Sequence, residues 1–238
     1  MDKYFDDGHT RAKALKNRGP IRFERDGKLR RDISDAYSEY GFYIFESVLA
    51  SDELADIKAD VEHILNRAPV QKNAESDLSG NTPLGFGCEA PTFFWAPPLS
   101  DPFGATDAAG GRHPVKMPEP KVEKGVTDEA IFLILGSLQF SNACLRTYGH
   151  PELLRVAEAI NGSDFTPFNE ALFIKKPGIG ASVAWHQDGL THWDSEDFDE
   201  GTHGFNFMAQ LYGSTARNGV WVVPGTHRLG KMLSLIHI

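Results

Sequence analysis

The second half of the chain contains four short apolar runs, each closed by a Gly or Pro turn. The runs are rich in Val, Phe, Ile and Trp, residues that favour strands. A series of short strands divided by turns predicts an antiparallel β-structure for this half of the chain. The four runs are FNEALFIKKPG, SVAWHQD, GFNFMAQLYG and GVWVVPG.

Helical patterns come before these runs. Apolar residues recur at helical spacing from Leu29 to Tyr40, and Gly41 follows at the position that a C-cap glycine favours. After a short predicted strand, GFYIFESVL, Ser51 begins a second helix with an apolar stripe that ends before Pro69. A third helix is predicted from Pro151 to Ile160. The order is therefore helices first and antiparallel strands afterwards.

Two parts of the chain have no clear period. Residues 1–28 mix charges with Gly and Pro and predict a polar, loosely ordered arm. Residues 70–124 are rich in Gly, Pro, Asn and Asp yet carry aromatic residues, as in PTFFWAPP, and predict an insert or lid that closes over a site. The apolar run DEAIFLILGSLQF fits either a helix or a strand.

Composition limits the class of protein. The 238 residues suit one large β-rich domain or a domain with a helical extension, and no apolar run is long enough to cross a membrane. The polar N-terminus lacks a signal core, so we expect a cytoplasmic protein. A net charge of −9 argues against nucleic acid or an anionic membrane as partner. Cys88 and Cys144 form no CxxC pair, so any metal must be held by His and carboxylate.

One pair of residues in the second run suggests a chemical function. His186 and Asp188 are two residues apart, and side chains at that spacing project from the same face of an extended strand. An imidazole and a carboxylate are two of the three donors of the 2-His-1-carboxylate site of non-haem Fe(II) oxygenases. Taken alone the spacing is a weak signal, because a surface His near an Asp is common.

The surroundings of this pair resemble a known family. LFIKKPGIGASVAWHQDG followed by RNGVWVVPGTHRLG resembles the phytanoyl-CoA dioxygenase family, whose members carry F-x-K-x-P-G, then W-H-x-D, then N-G with P-G-[ST]-H. The resemblance covers roughly residues 32–228. It implies a mainly β fold with N-terminal helices, a double-stranded β-helix or jelly roll with the metal inside its mouth. We assign residues 29–232 to this partial oxygenase domain.

The resemblance also implies a set of site residues. His186 and Asp188 would bind Fe(II), and Phe173 would line the pocket of the co-substrate 2-oxoglutarate. Lys175 shares the strand parity of Phe173 and would face the pocket, although a solvated lysine at a strand end is the alternative. Ser182 or its neighbour Val183 would lie beside the distal carboxylate of 2-oxoglutarate.

The four histidines that follow the pair fit no ligand position. His227 of PGTH is a turn residue, for which we expect a hydrogen-bonding role. His192 and His203 lie in an acidic loop and match no ligand. In the family the second ligating His comes a few tens of residues beyond this turn and is followed by an Arg that pairs with 2-oxoglutarate. His237 follows the turn too closely and no Arg comes after it, so we reject it as the third ligand.

The last six residues, LSLIHI at 233–238, are the in-frame translation of a transposon-end adapter used in sequencing libraries. We therefore interpret them as an adapter-derived tail, with the natural sequence continuing past Met232. The alternative is a genuine apolar C-terminal strand. A barrel that is incomplete at its C-terminus leaves strand edges unpaired, so we expect the 238-residue chain to be poorly soluble and inactive.

The sequence thus predicts an Fe(II)/2-oxoglutarate-dependent dioxygenase that hydroxylates a small or lipid-like molecule with O₂. 2-Oxoglutarate would be decarboxylated to succinate and CO₂. The alternatives are a jelly-roll module that binds a ligand or metal without turnover, and a zinc hydrolase, for which no general base is evident. The identity of the substrate and the oligomeric state stay open.

Overall fold

The computed structural model describes residues 2–103, 121–183, 185–186 and 204–229. The chain divides into two compact units. The helical unit comprises residues 1–50, 150–166 and 187–234, and the sheet unit comprises residues 51–149, 167–186 and 235–238. No helix in the described ranges combines the length and the apolar character needed to cross a membrane.

Helices are longer than strands throughout the described residues. In chain order the elements are α1 (Asp2–Ala14), β1 (Arg18–Gly19), α2 (Arg31–Tyr40), β2 (Ile44–Phe45), α3 (Ser51–Asn66), β3 (Phe93–Ala96), β4 (Ala130–Ile134), a 3₁₀ turn (Ser137–Gln139), α4 (Asn142–Tyr148), α5 (Pro151–Asn161), β5 (Leu172–Phe173) and a second 3₁₀ turn (Thr226–Leu229).

Helix α2 of the helical unit confirms the sequence prediction. Ile33 is fully buried and packs with Leu29 and with Val156 of α5. Gly41 ends the helix in the left-handed region at φ 83°, and its N–H donates to the carbonyl of Tyr37 over 2.8 Å. Glycine adopts this conformation without the steric cost that a Cβ imposes. The cap therefore forms from local sequence, as predicted.

The N-terminal residues are more ordered than the loosely ordered arm that the sequence predicts. Residues 2–14 form α1, and β1 pairs in parallel with β2. No residue of α1 is fully buried, but the ring of Tyr4 stacks on Trp221 with centroids 5.1 Å apart, and Arg217 lies over Phe5 at 4.7 Å. These partners lie more than 200 residues along the chain, where no local pattern points to them.

The PGTHR turn contacts the C-terminal end of α2. The N–H of Gly225 donates to the carbonyl of Tyr40 over 2.9 Å. The carbonyl of Ser38 accepts from Arg228 Nε at 2.9 Å and Nη2 at 2.6 Å, and lies 3.0 Å from His227 Nε2. These contacts satisfy helix carbonyls that lack partners within the helix and place a cation at its negative pole. The hydrogen-bonding role predicted for His227 is confirmed.

The sheet unit is built on a three-stranded antiparallel sheet in the order β3-β4-β5. β4 shows that the ambiguous run 128–140 forms a strand followed by a 3₁₀ turn. Phe132 and Leu133 of β4 are buried with Ala96 and Ala181. Because β3 lies within the predicted insert 70–124, the aromatics of residues 93–95 belong to the sheet. Residues 104–120 of that insert lie outside the described residues.

Helix α3 packs beside α4 in the same unit. Ile57, Val61 and Ile64 are buried, which confirms the predicted stripe. The carboxylate of Asp60 accepts from Ser141 Oγ at 2.7 Å and from the N–H of Ala143 at 3.2 Å. A carboxylate from one helix thereby caps the first turn of the other, and this capped helix, α4, was not predicted from the sequence.

Fewer strands form in the described part of the second half of the chain than the sequence predicts. β5 is the strand formed by the first of the four runs, and the described parts of the other three form none. The described residues therefore contain a two-stranded and a three-stranded sheet but no closed barrel. A β-prone segment becomes a strand only where a partner supplies hydrogen bonds, and side chains such as Met208, Val220 and Val223 are at least half exposed here.

The α2 cap gives a stability prediction. Gly41→Ala should lower the free energy of unfolding for two reasons: the left-handed φ costs about 1–3 kcal/mol, and the new Cβ would overlap the ring of His227. Gly27 has a similar φ of 86° with open space around its Cβ position, so Gly27→Ala should show the backbone cost alone. Urea denaturation compares the two, and equal losses would show that the His227 contact does not exist in solution.

A buried carboxylate gives a pH prediction. Although burial alone would raise the pKa of Asp77, the N–H groups of Asn81 and Ser79 and the guanidinium of Arg67 lower it below its usual value of 3.8. A carboxyl with a lowered folded-state pKa stabilises the fold above its unfolded pKa, and this stabilisation is lost as pH falls through the folded value.

Asp77→Asn should therefore be less stable than the parent at pH 7, and its stability should fall less steeply below pH 4. The exposed Asp164→Asn is the control and should change neither property. Thermal unfolding between pH 2 and pH 7 measures both. If Asp77→Asn matches the parent across this range, the Arg67–Asp77 pair does not stabilise the protein.

Candidate metal and co-substrate site

The site residues expected from the sequence lie on one stretch that begins in β5. Phe173 pairs with Leu133 of β4, which in turn pairs with Phe94 of β3. Directly paired residues in a sheet project to the same face, so these three side chains form one apolar row. Phe173 is 48% exposed, and its ring therefore offers a free apolar surface at the edge of the row.

Lys175 follows β5 and closes the next turn. Its Nζ donates to the carbonyl of Ala181 over 2.6 Å. Within that turn the N–H of Gly180 donates to the carbonyl of Lys176 over 2.9 Å, and Gly178 takes the left-handed φ of 75° that the bend requires. The ammonium group thus bonds to the backbone of its own turn, a contact that neither sequence expectation for Lys175 included.

Ala181 and Ser182 anchor the far side of the turn. Ala181 is 5% exposed and packs in the core of the sheet unit. The N–H of Ser182 donates to the carbonyl of Ser100 over 2.9 Å, and Ser182 Oγ donates to the same oxygen over 3.3 Å. The N–H of Leu99 in turn donates to the carbonyl of Ile179 over 3.1 Å. The backbone before the His-x-Asp pair is therefore bonded to the segment that follows β3.

His186 ends this stretch with its side chain exposed, beside a half-buried Trp185. Asp188 lies outside the described residues, as do His192, His203 and His237. The structure therefore describes Phe173, Lys175, Ser182 and His186 within residues 173–186, apart from residue 184, but not the second predicted ligand.

The donor types suit the expected metal. Imidazole with carboxylate is the set that non-haem Fe(II) sites use, whereas a thiolate site would require paired cysteines. Cys88 is exposed and Cys144 is buried, and each is a free thiol. Among the described residues, no three His, Cys, Asp or Glu side chains come together as a metal site. His186 is the described member of the donor pair that the sequence predicts, and its partner Asp188 lies outside the described residues.

Two supporting residues were missed by sequence reasoning. Glu170, just before β5, accepts a hydrogen bond from the buried Ser137 Oγ over 2.7 Å, which joins the start of β5 to the 3₁₀ turn after β4. Ser100 supplies the carbonyl that holds Ser182. Neither carries a local signal, because a serine or glutamate in a loop is ordinary, and only the folded chain brings each to its partner.

Comparison with known proteins gives a match that spans most of the chain. The profile of the family described as phytanoyl-CoA dioxygenase (PhyH) matches residues 37–236. This range includes the C-terminal end of α2, the three-stranded sheet and the His-x-Asp pair. No solved structure matches the chain significantly.

A curated relative matches over a shorter range. An L-proline trans-4-hydroxylase from Streptomyces griseoviridis is 28% identical over 116 residues. The alignment covers 48% of this chain and 42% of the relative. The chain therefore matches less than half the length of that relative.

The packing of residues 173–186, here called the anchored stretch, can be tested by enlarging one side chain. Ala181→Leu should lower the free energy of unfolding by about 1–3 kcal/mol, because extra methylenes in a filled core force neighbouring atoms apart. Val183→Leu is the control at a site that is 36% exposed and should stay within about 0.5 kcal/mol of the parent. Chemical denaturation measures both. Equal effects would mean that Ala181 is not in a packed core.

Proposed function

Because the chain belongs to the phytanoyl-CoA dioxygenase family, we propose that it is an oxygenase that uses Fe(II) and 2-oxoglutarate to hydroxylate a small molecule. The observation that carries this proposal is the family match over residues 37–236, which includes the His186-x-Asp188 pair at the end of the anchored stretch. The proposed fold of the complete domain is the jelly roll, to which the sheet β3-β4-β5 would contribute.

In this proposal His186 and Asp188 hold the metal, and a third donor from outside the described residues completes the site. The metal with its co-substrate supplies the oxidising chemistry. One atom of O₂ enters succinate as 2-oxoglutarate loses CO₂, and the other enters a C–H bond of the substrate as a hydroxyl group. The chain itself supplies ligand geometry and a water-poor pocket.

The described residues have distinct proposed tasks around 2-oxoglutarate. The exposed ring of Phe173, continuous with the row through Leu133 and Phe94, forms an apolar wall against the methylene groups of 2-oxoglutarate. Ser182 directs its hydroxyl toward the distal carboxylate, as an alternative to its bond with Ser100. The ammonium group of Lys175, which bonds to the carbonyl of the neighbouring Ala181, would attract the same carboxylate electrostatically.

The substrate class is proposed from the relative and from the apolar row of the sheet. The relative's name states that it hydroxylates L-proline, so free amino acids are the first substrates to test. An apolar molecule is the second class, since the sheet presents an apolar row at the site. The competing function is a module that binds metal or ligand without turnover, and the decarboxylation of 2-oxoglutarate distinguishes the two.

The deciding experiment measures succinate formed from 2-oxoglutarate with added Fe(II) and a panel of amino acids. Asp188→Ala should reduce coupled hydroxylation at least about 100-fold, because it removes a metal ligand. Asp194→Ala, a carboxylate from the same acidic segment, is the control and should retain activity. If Asp188→Ala hydroxylates as fast as the parent, the assignment of Asp188 is wrong.

The experiment is done on two chains, residues 1–238 and residues 1–232 joined to the natural downstream sequence. The extended chain should bind Fe(II) more tightly, and substitution of a His within the extension should remove this gain. Fe(II) binding without any succinate would favour the binding module. Tight binding and turnover by the 238-residue chain, lost in His237→Ala, would instead identify His237 as the third ligand.

A further inference from the structure

The turn between β5 and the His-x-Asp pair is closed by a charged side chain. Lys175 Nζ donates to the carbonyl of Ala181 over 2.6 Å, a bond that joins the first residue of the turn to a residue six positions later. A hydrogen bond from an ammonium group to a carbonyl is stronger than one between neutral groups. Lys175 therefore restrains the carbonyl of Ala181.

The backbone of the turn also passes unusually close to Lys175. A Cβ placed on Gly180 would lie 3.0 Å from Lys175 Cα and 3.2 Å from its carbonyl carbon. Both atoms belong to the backbone, so they cannot rotate aside as the end of a side chain would. A side chain at 180 would thus crowd the backbone of Lys175, and this observation is independent of the hydrogen bond to Ala181.

The restrained carbonyl belongs to the stretch that leads to His186. Ala181 is buried in the sheet core, and the N–H of Ser182 is bonded to Ser100. His186 follows Ser182 by four residues. A change in the path of residues 181–182 would therefore shift the imidazole, and even a small displacement of a ligand weakens metal binding.

We propose that Lys175 is a positioning residue for His186, acting through the carbonyl of Ala181. Its main task is to set the path of residues 176–182, and direct attraction of 2-oxoglutarate is secondary. This inference rests on the proposed function of His186 as a metal ligand. The part that concerns the turn itself is testable without metal.

The metal-free test uses ¹⁵N-labelled protein, made from whichever of the two chains defined above stays soluble. Lys175→Met keeps the length of the side chain and removes its charge, Lys175→Arg restores a cationic donor, and Lys176→Met is the control at the neighbouring lysine. Hydrogen exchange of the Ser182 amide should accelerate about tenfold in Lys175→Met, and the imidazole signal of His186 should shift. Lys175→Arg should reverse most of both changes, and Lys176→Met should cause neither.

Gly180→Ala perturbs the same turn without touching the ammonium group. It should accelerate exchange of the Ser182 amide and shift the His186 signal in the same way as Lys175→Met. If Lys175→Met and Gly180→Ala leave both measurements unchanged while the chain stays folded, the positioning role is wrong. If Gly180→Ala unfolds, the comparison of Lys175→Arg with Lys175→Met decides, and if Lys175→Met unfolds, the comparison of Gly180→Ala with the parent decides.

The metal arm uses Co(II), titrated while the His186 signal is monitored. Lys175→Met should raise the dissociation constant about tenfold, and Lys175→Arg should restore it. Weaker 2-oxoglutarate binding with unchanged Co(II) affinity and Ser182 exchange would overturn the inference in favour of a direct pocket role. The His186 signal of the parent could stay unchanged on addition of Co(II) while exchange of the Ser182 amide still depends on Lys175. That result would contradict the proposed function but leave the closure of the turn by Lys175 established.

Discussion

The pairing of β4 on both of its edges is the interaction on which the sheet unit depends. β4 bonds to β3 on one side and to β5 on the other, and its residues Phe132, Leu133 and Ile134 are buried. Its register places Phe94 and Phe173 in one row, and the turn after β5 returns to the same core through Ala181. The stretch that carries His186 is therefore positioned by a strand whose residues lie some fifty positions earlier in the chain.

Helix ends in this protein are completed by distant residues as well as by local caps. Ser38, near the end of α2, has a carbonyl that accepts hydrogen bonds from Arg228, and the first turn of α4 is capped by Asp60 of α3. Such contacts satisfy backbone groups that would otherwise remain without partners. They also join the P-G-T-H segment and α4 to helices that a reading of local sequence treats as separate elements.

Position and chemistry come from different residues at the candidate site. His186 and Asp188 carry the chemistry proposed for the metal, whereas Lys175, Gly180 and Ser100 determine the path of the backbone that leads to them. A metal ligand needs this support because its orientation is set by the groups behind it. The family match includes the segment that carries His186. The contacts of Lys175, Gly180 and Ser100 explain how the short turn before that segment can fix its path.

The sequence by itself determined the features whose causes are local. The helices α2, α3 and α5, the glycine that ends α2 and the spacing of His186 and Asp188 all follow from neighbouring residues, and the motifs around that pair identified the family. Tertiary structure decided that residues 2–14 form the helix α1, that residues 93–96 belong to the sheet and that residues 130–134 form a strand. It also decided the partner of the Lys175 ammonium. The two β-prone runs that begin at Gly204 and Gly219 show most clearly why these features could not be predicted from the sequence. Strand propensity is local, but a strand exists only when another segment supplies its hydrogen bonds, and that partner is chosen by the fold.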